Sequence, residues 1–93
     1  MSTLINAKGT ELARNTMNAI IKELEKRGCD VDWDDFSVET TNGAEFHFRP
    51  EHFVGFVPVV YADFWRPDSD EREGTEFPFD GYIDQFCDWA MRI

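Results

Sequence analysis

Residues 36–49 read F-S-V-E-T-T-N-G-A-E-F-H-F-R, and the way this stretch turns back on itself decides how the rest of the chain must pack. Alternate residues of a strand face opposite sides of a sheet. A two-residue loop at Asn42-Gly43 sets Val38 opposite His47 and Phe36 opposite Arg49, which splits the apolar residues between two faces. A three-residue loop, Thr41-Asn42-Gly43, with Gly43 left-handed, instead sets Phe36 opposite Phe48, Val38 opposite Phe46 and Thr40 opposite Ala44. The large apolar residues then share one face, while Ser37, Glu39, Glu45, His47 and Arg49 share the other. Only the second register makes a core, so it is the one expected.

Upstream, Ala13, Met17, Ile20, Ile21 and Leu24 recur at helical spacing, with Leu12 beside them. They predict a helix that begins between Leu4 and Thr10, with Thr10 as a cap, and runs to Arg27. Gly28 is its left-handed stop, and Lys26 and Arg27 suit the negative end of its dipole. Glu23 and Arg27 are one turn apart and set to pair. Residues 29–35, C-D-V-D-W-D-D, then lead into the hairpin with Asp30, Asp32, Asp34 and Asp35 toward water. Their alternation is similar to the opening of a calcium-binding EF-hand loop, but Asp35 stands where that loop needs Gly and Thr41 where it needs a bidentate Glu. Crowded carboxylates repel one another. The stretch therefore reads either as a seat for a cationic partner, whether metal ion or basic protein surface, or as a solvated connector.

Downstream, Pro50 is expected to end the second strand. F-V-G-F-V-P-V-V-Y-A-D-F-W, residues 53–65, reads as a third, in which Gly55 and Pro58 imply a bulge or an edge position. Val60, Ala62 and Phe64 are expected to face the helix, with Val59, Tyr61, Asp63 and Trp65 outward. That outer patch is either a binding or homodimer surface or is covered by the C-terminal helix or a loop. Residues 66–77 read as a polar, exposed loop with Asp68, Asp70, Glu71, Glu73 and Glu76. Asp80 is placed to cap a last helix from Gly81 to about Arg92, whose stripe is Ile83, Phe86, Cys87, Ala90 and Met91, widened by Tyr82, Trp89 and Ile93. The fold expected is α+β in the order α-β-β-β-α, a single domain over residues 1–93 with a three-stranded antiparallel sheet packed with an N-terminal and a C-terminal helix.

Nineteen acidic against nine basic residues give a net charge of −10, and the imbalance is uneven. Residues 1–28 hold Glu11, Glu23 and Glu25 against Lys8, Arg14, Lys22, Lys26 and Arg27, a net of +2, so everything from Cys29 onward carries −12. Such a field repels nucleic acid and anionic membrane and draws in basic proteins, or else serves solubility alone. A hydrophobic content of 42% with nine Phe and three Trp marks an ordered globule rather than an acidic tail. No apolar run is long enough for a membrane span and no basic-then-apolar leader opens the chain, so a cytoplasmic protein is expected. Cys29 and Cys87 have no metal or redox spacing and are expected as buried free thiols, with a disulfide between the helix regions as the alternative.

Catalytic chemistry finds little support. His47 and His52 have no nucleophile on a recognisable elbow, and a metal site joining them to Glu45 or Glu51 matches no motif. The six glycines are scattered rather than gathered into a phosphate-binding loop. The expectation is a binding protein without cofactor or metal, not an enzyme.

A small, very acidic α+β domain with loop carboxylates beside exposed aromatics resembles, in overall profile rather than in any motif, the phage-encoded inhibitors of the anti-CRISPR and DNA-mimicking anti-restriction kinds. The resemblance implies a mechanism in which spaced carboxylates imitate phosphates and occupy the arginine/lysine groove of a nucleic-acid-binding protein, with no direct contact to nucleic acid. The residues expected to form that surface are Asp32, Asp34, Asp35, Asp68, Asp70, Glu71 and Glu73, with Trp65 as an apolar anchor. Two other classes stay open. One is an immunity protein neutralising a nuclease toxin with the same surface; the other is a homodimeric, chaperone-like assembly protein that uses Val59, Tyr61, Trp65 and Trp89.

Overall fold

The computed structural model describes residues 6–51, 59–78 and 82–93. Among them the chain is α+β: helix α1 (Asn6–Lys26), strands β1 (Asp30–Asp32), β2 (Ser37–Glu39), β3 (Glu45–Glu51), β4 (Val59–Trp65) and β5 (Glu73–Pro78), and helix α2 (Ile83–Ala90). The strands form one antiparallel sheet in the order β1-β2-β3-β4-β5. Five strands replace the three expected. The two missed strands are the weakest in pattern. β1 has a single apolar residue, Val31, between two aspartates, and β5, E-G-T-E-F-P, buries Phe77 but carries the Gly and Pro of a loop.

The central hairpin adopts the three-residue register. Val38 pairs with Phe46, the Phe48 amide donates to the Phe36 carbonyl at 2.9 Å, and the Thr40 amide donates to the Ala44 carbonyl at 2.8 Å. Gly43 closes the turn at φ +98°, where a side chain is strained. The Asn42 side-chain amide donates to the Ile93 carbonyl at 2.7 Å, tying the turn to the segment after α2.

α1 begins at Asn6, so Thr10 lies inside the helix and does not cap it. Its end follows the expectation: Gly28 sits at φ +98°, its amide donates to the Glu25 carbonyl, and the Cys29 amide donates to the Leu24 carbonyl, which together form a Schellman cap. Ala13, Met17, Ile20, Ile21 and Leu24 are fully buried, whereas Leu12 is exposed. Arg27 pairs with Glu23 at 2.8 Å and reaches across to Asp88 at 2.6 Å and Asp84 at 3.7 Å, so one guanidinium joins α1 to α2.

Both helices pack on the same side of the sheet. Phe46 is the hub of that interface: its ring stacks on Phe48 and Phe64 at 5.7 and 5.3 Å and meets Phe86 and Trp89 edge-on. Cys29 and Cys87 are buried free thiols in the same core; Cys87 donates to the Ile20 carbonyl, and Cys29 lies 3.3 Å from the Met91 sulfur. Burial pushes both thiols above their ordinary range, that of Cys87 to about 12.

The second strand does not end at Pro50 but continues to Glu51, because β2 no longer runs beside it there. The missing amide of Pro50 points, like the Phe48 amide, to the side away from β4, where no ladder bond is required. β4 alternates as expected, with Val60, Ala62 and Phe64 buried, and it lies inside the sheet rather than at an edge. α2 begins at Ile83, after an N-cap residue, Tyr82, that makes no side-chain cap bond. The expected bulge at Gly55 and Pro58, the turn at His52 and the cap at Asp80 lie outside the described residues. Among the described residues no helix is long and apolar enough to cross a membrane.

Candidate functional site

With both helices on one side, the other face of the sheet has no helix over it among the described residues. Strand pairing places the residues of that face in rows. One row crosses four strands as Asp30, Glu39, Glu45 and Trp65; the next carries Asp32, Ser37, His47, Asp63 and Gly74; a third carries Arg49, Tyr61 and Glu76. Of the alternatives for the outer side of β4, cover by α2 is ruled out, because Phe86 and Trp89 pack against Phe46 on the opposite face.

The first row sets like charges side by side. Ladder bonds join Val38 to Phe46, so the Glu39–Glu45 pair is a non-hydrogen-bonded one, in which facing side chains come closest. Asp30 flanks Glu39 on its other side. The Glu45 carboxylate lies 2.6 Å from the Nε2 of His47. Asp30 and Glu39 have no ion-pair partner among the described residues.

Two concavities flank this row. One, of about 490 Å³, is walled by Asp30, Asp32, Asp34, Glu39 and Glu45 together with Trp33, which is 37% exposed; among the described residues no Lys, Arg or His lines it. The second, of about 570 Å³, lies under the 66–72 loop and is lined by Glu45, Trp65, Arg66, Asp68 and Asp70. Glu45 belongs to both. The turn at one end is shaped by Asp32, whose carboxylate accepts from the amides of Asp34 and Asp35 at 2.9 and 3.4 Å. Among the described residues, no three His, Cys, Asp or Glu side chains are placed to hold a metal ion.

The far half of the face carries a cation of its own. Arg49 pairs with Glu51 at 2.6 Å and Asp63 at 3.4 Å and lies over the Tyr61 ring at 4.4 Å. On the helix side of the sheet, where Glu73 is the cross-strand neighbour of Phe64, Arg66 grips Glu73 with two nitrogens, at 2.7 and 3.3 Å, and lies 5.8 Å from the centre of the Phe64 ring. Hydrogen bonds to Glu51 and Glu73 hold the two guanidiniums further above their ordinary value. Tyr61 in turn lies across Gly74, so close that any side chain there would displace its hydroxyl.

The eight residues singled out from sequence therefore fall into three groups. Asp32 and Asp34 line the first concavity and Asp35 shares their turn; Trp65, Asp68 and Asp70 line the second, with Glu71 exposed beyond it. Glu73 stands apart, held by Arg66. Asp30, Glu39 and Glu45, which connect the groups, were not among the eight. The alternation that puts Glu39 and Glu45 outside is legible in the sequence; their alignment with Asp30 needs β1 as a strand. Of the residues for an alternative apolar interface, Trp89 packs with Phe46, Phe64 and Phe86 on the helix side, whereas Tyr61 and Trp65 are on the open face.

Compared with known protein families, with curated proteins and with solved structures, the chain finds no match.

Proposed function

We propose that the protein is a small acidic inhibitor that binds the basic surface of a nucleic-acid-binding protein and blocks its nucleic-acid site by electrostatic mimicry, in the manner of anti-CRISPR or anti-restriction proteins. The observation that carries the reading is the carboxylate row Asp30–Glu39–Glu45 on a sheet face over which neither helix packs, continued through Glu45 to Asp68 and Asp70. Neighbouring strands lie about 4.8 Å apart, so the row presents regularly spaced negative charge on a rigid support rather than on a mobile tail. A surface of that kind repels nucleic acid and attracts an arginine/lysine groove at rates that fall with salt. The activity this arrangement supports is binding, through the charge its carboxylates present to a basic surface.

The test is retention of target from bacterial lysate on the immobilised protein at low and high salt. The expected result is a nucleic-acid-binding protein released both by salt and by competing duplex DNA, and no retention on a variant with Asp30, Glu39, Glu45, Asp68 and Asp70 all changed to Lys. Binding that survives those five reversals removes the basis of the proposal.

A further inference from the structure

The chain contains its own examples of how this sheet holds a guanidinium. Arg49 lies over the ring of its cross-strand neighbour Tyr61 and is gripped by Glu51 and Asp63. Arg66 lies near the Phe64 ring and is gripped by Glu73, the cross-strand neighbour of Phe64. Both arrangements join an aromatic side chain to carboxylates delivered by neighbouring positions of the ladder. The concavity over β1 and β2 repeats that combination with a partly exposed indole, Trp33, beside Asp30, Asp32, Asp34, Glu39 and Glu45, and among the described residues no cation lines it.

Resting on the proposed function, we infer that this concavity is the seat for an arginine side chain of the partner, its guanidinium against the Trp33 indole and its nitrogens shared between Glu39 and a neighbouring carboxylate. A planar fork suits paired carboxylates and an aromatic face in a way a lysine ammonium does not. Charge complementarity selects a cation, and the indole selects the guanidinium. At about 490 Å³ the space accommodates a side chain rather than a folded element, so the partner contributes an arginine from a loop or helix that crosses the open face.

The experiment titrates the protein with hexa-arginine and, separately, hexa-lysine peptide, following heat and tryptophan fluorescence at low salt. The expected result is about tenfold tighter binding of the arginine peptide. Trp33→Leu removes that preference while leaving salt-dependent binding of both peptides. Asp68→Asn with Asp70→Asn weakens both equally. Glu39→Gln, on the sheet rather than in the turn, gives a second reading should Trp33→Leu disturb the fold, and it too lowers the preference. Equal affinity for the two peptides overturns the arginine seat while leaving the acidic-face reading intact; binding of neither overturns both.

Discussion

Replacing Glu39 by Lys is expected to stabilise the fold while weakening partner binding. Glu39 stands between Asp30 and Glu45 on adjacent strands, with the Glu45 side chain in the closer, non-hydrogen-bonded type of pairing. Like charges directly opposite in a sheet are unfavourable by about 0.2–1 kcal/mol and opposite charges favourable by a similar amount, with values toward the lower end for exposed pairs. The Glu45 carboxylate also has the His47 ring nitrogen 2.6 Å away as a polar neighbour. Turning two repulsions into two attractions therefore gives a gain of about 1 kcal/mol, or about 4–8 °C in melting temperature for a domain of this size. Glu39→Gln, which only removes the repulsion, gives about half. Glu and Lys are similarly poor strand formers, so intrinsic preference does not produce the difference. The assay is thermal unfolding followed by circular dichroism at 20 mM and 1 M NaCl. Salt screens exposed charges, so the gain should shrink at 1 M. A melting temperature for Glu39→Lys at or below that of the parent at 20 mM, or a gain that salt leaves unchanged, refutes the argument that this row is held under electrostatic strain.

Other consequences are more local. Phe46→Ala removes the ring that meets Phe48, Phe64, Phe86 and Trp89 and is expected to cost about 3–5 kcal/mol, enough to leave much of the chain unfolded in denaturant titrations at 25 °C. Gly43→Ala places a side chain at φ +98° in the turn that sets the register and should lower stability by about 1–2 kcal/mol, read as a shift in urea midpoint with unchanged slope. Cys87 retains its proton in the native state up to about pH 12, whereas in the unfolded chain it loses it near 9, so the unfolded state binds fewer protons between these values and stability declines as pH rises through that window. Cys87→Ala should flatten that decline in unfolding curves collected from pH 8 to 11, and in the parent both thiols should resist alkylation at pH 8 until denaturant is added.

The parts of this fold that could be read from sequence are those where one physical demand dominates. The hairpin register followed from needing Phe36, Val38, Phe46 and Phe48 on one face, and the end of α1 from a glycine after a buried stripe. Where demands were mixed, the pattern failed. β1 and β5 are strands because their neighbours offer ladder partners, not because D-V-D or E-G-T-E-F-P has strand character by itself, and the loop reading of 66–77 lost its second half for that reason. Pro50 stays within a strand because of where β2 stops, a property of another segment. The candidate site suffered the same way. Acidic loops are visible as composition, so Asp34, Asp35, Asp68 and Asp70 stood out, but the row that joins them depends on register across three strands.

That dependence bears on what the acids are for. Carboxylates serving only to keep a surface hydrated sit most favourably apart or beside cations, and the far half of this sheet is arranged so, with Arg49 among Glu51 and Asp63 on the open face and Arg66 on Glu73 on the helix side. The chain thus has the means to pair acids on its sheet and does so away from β1 and β2. In the row that crosses β1, β2 and β3, Asp30 and Glu39 face like charge with no ion-pair partner among the described residues, and Glu45 has only the His47 ring beside it. A fold with a well-packed aromatic core can carry an uncompensated row of this size, and a basic partner would relieve it on binding. The strain that lowers the stability of the free protein is then recovered as affinity, which is why a single substitution at Glu39 is expected to move stability and binding in opposite directions.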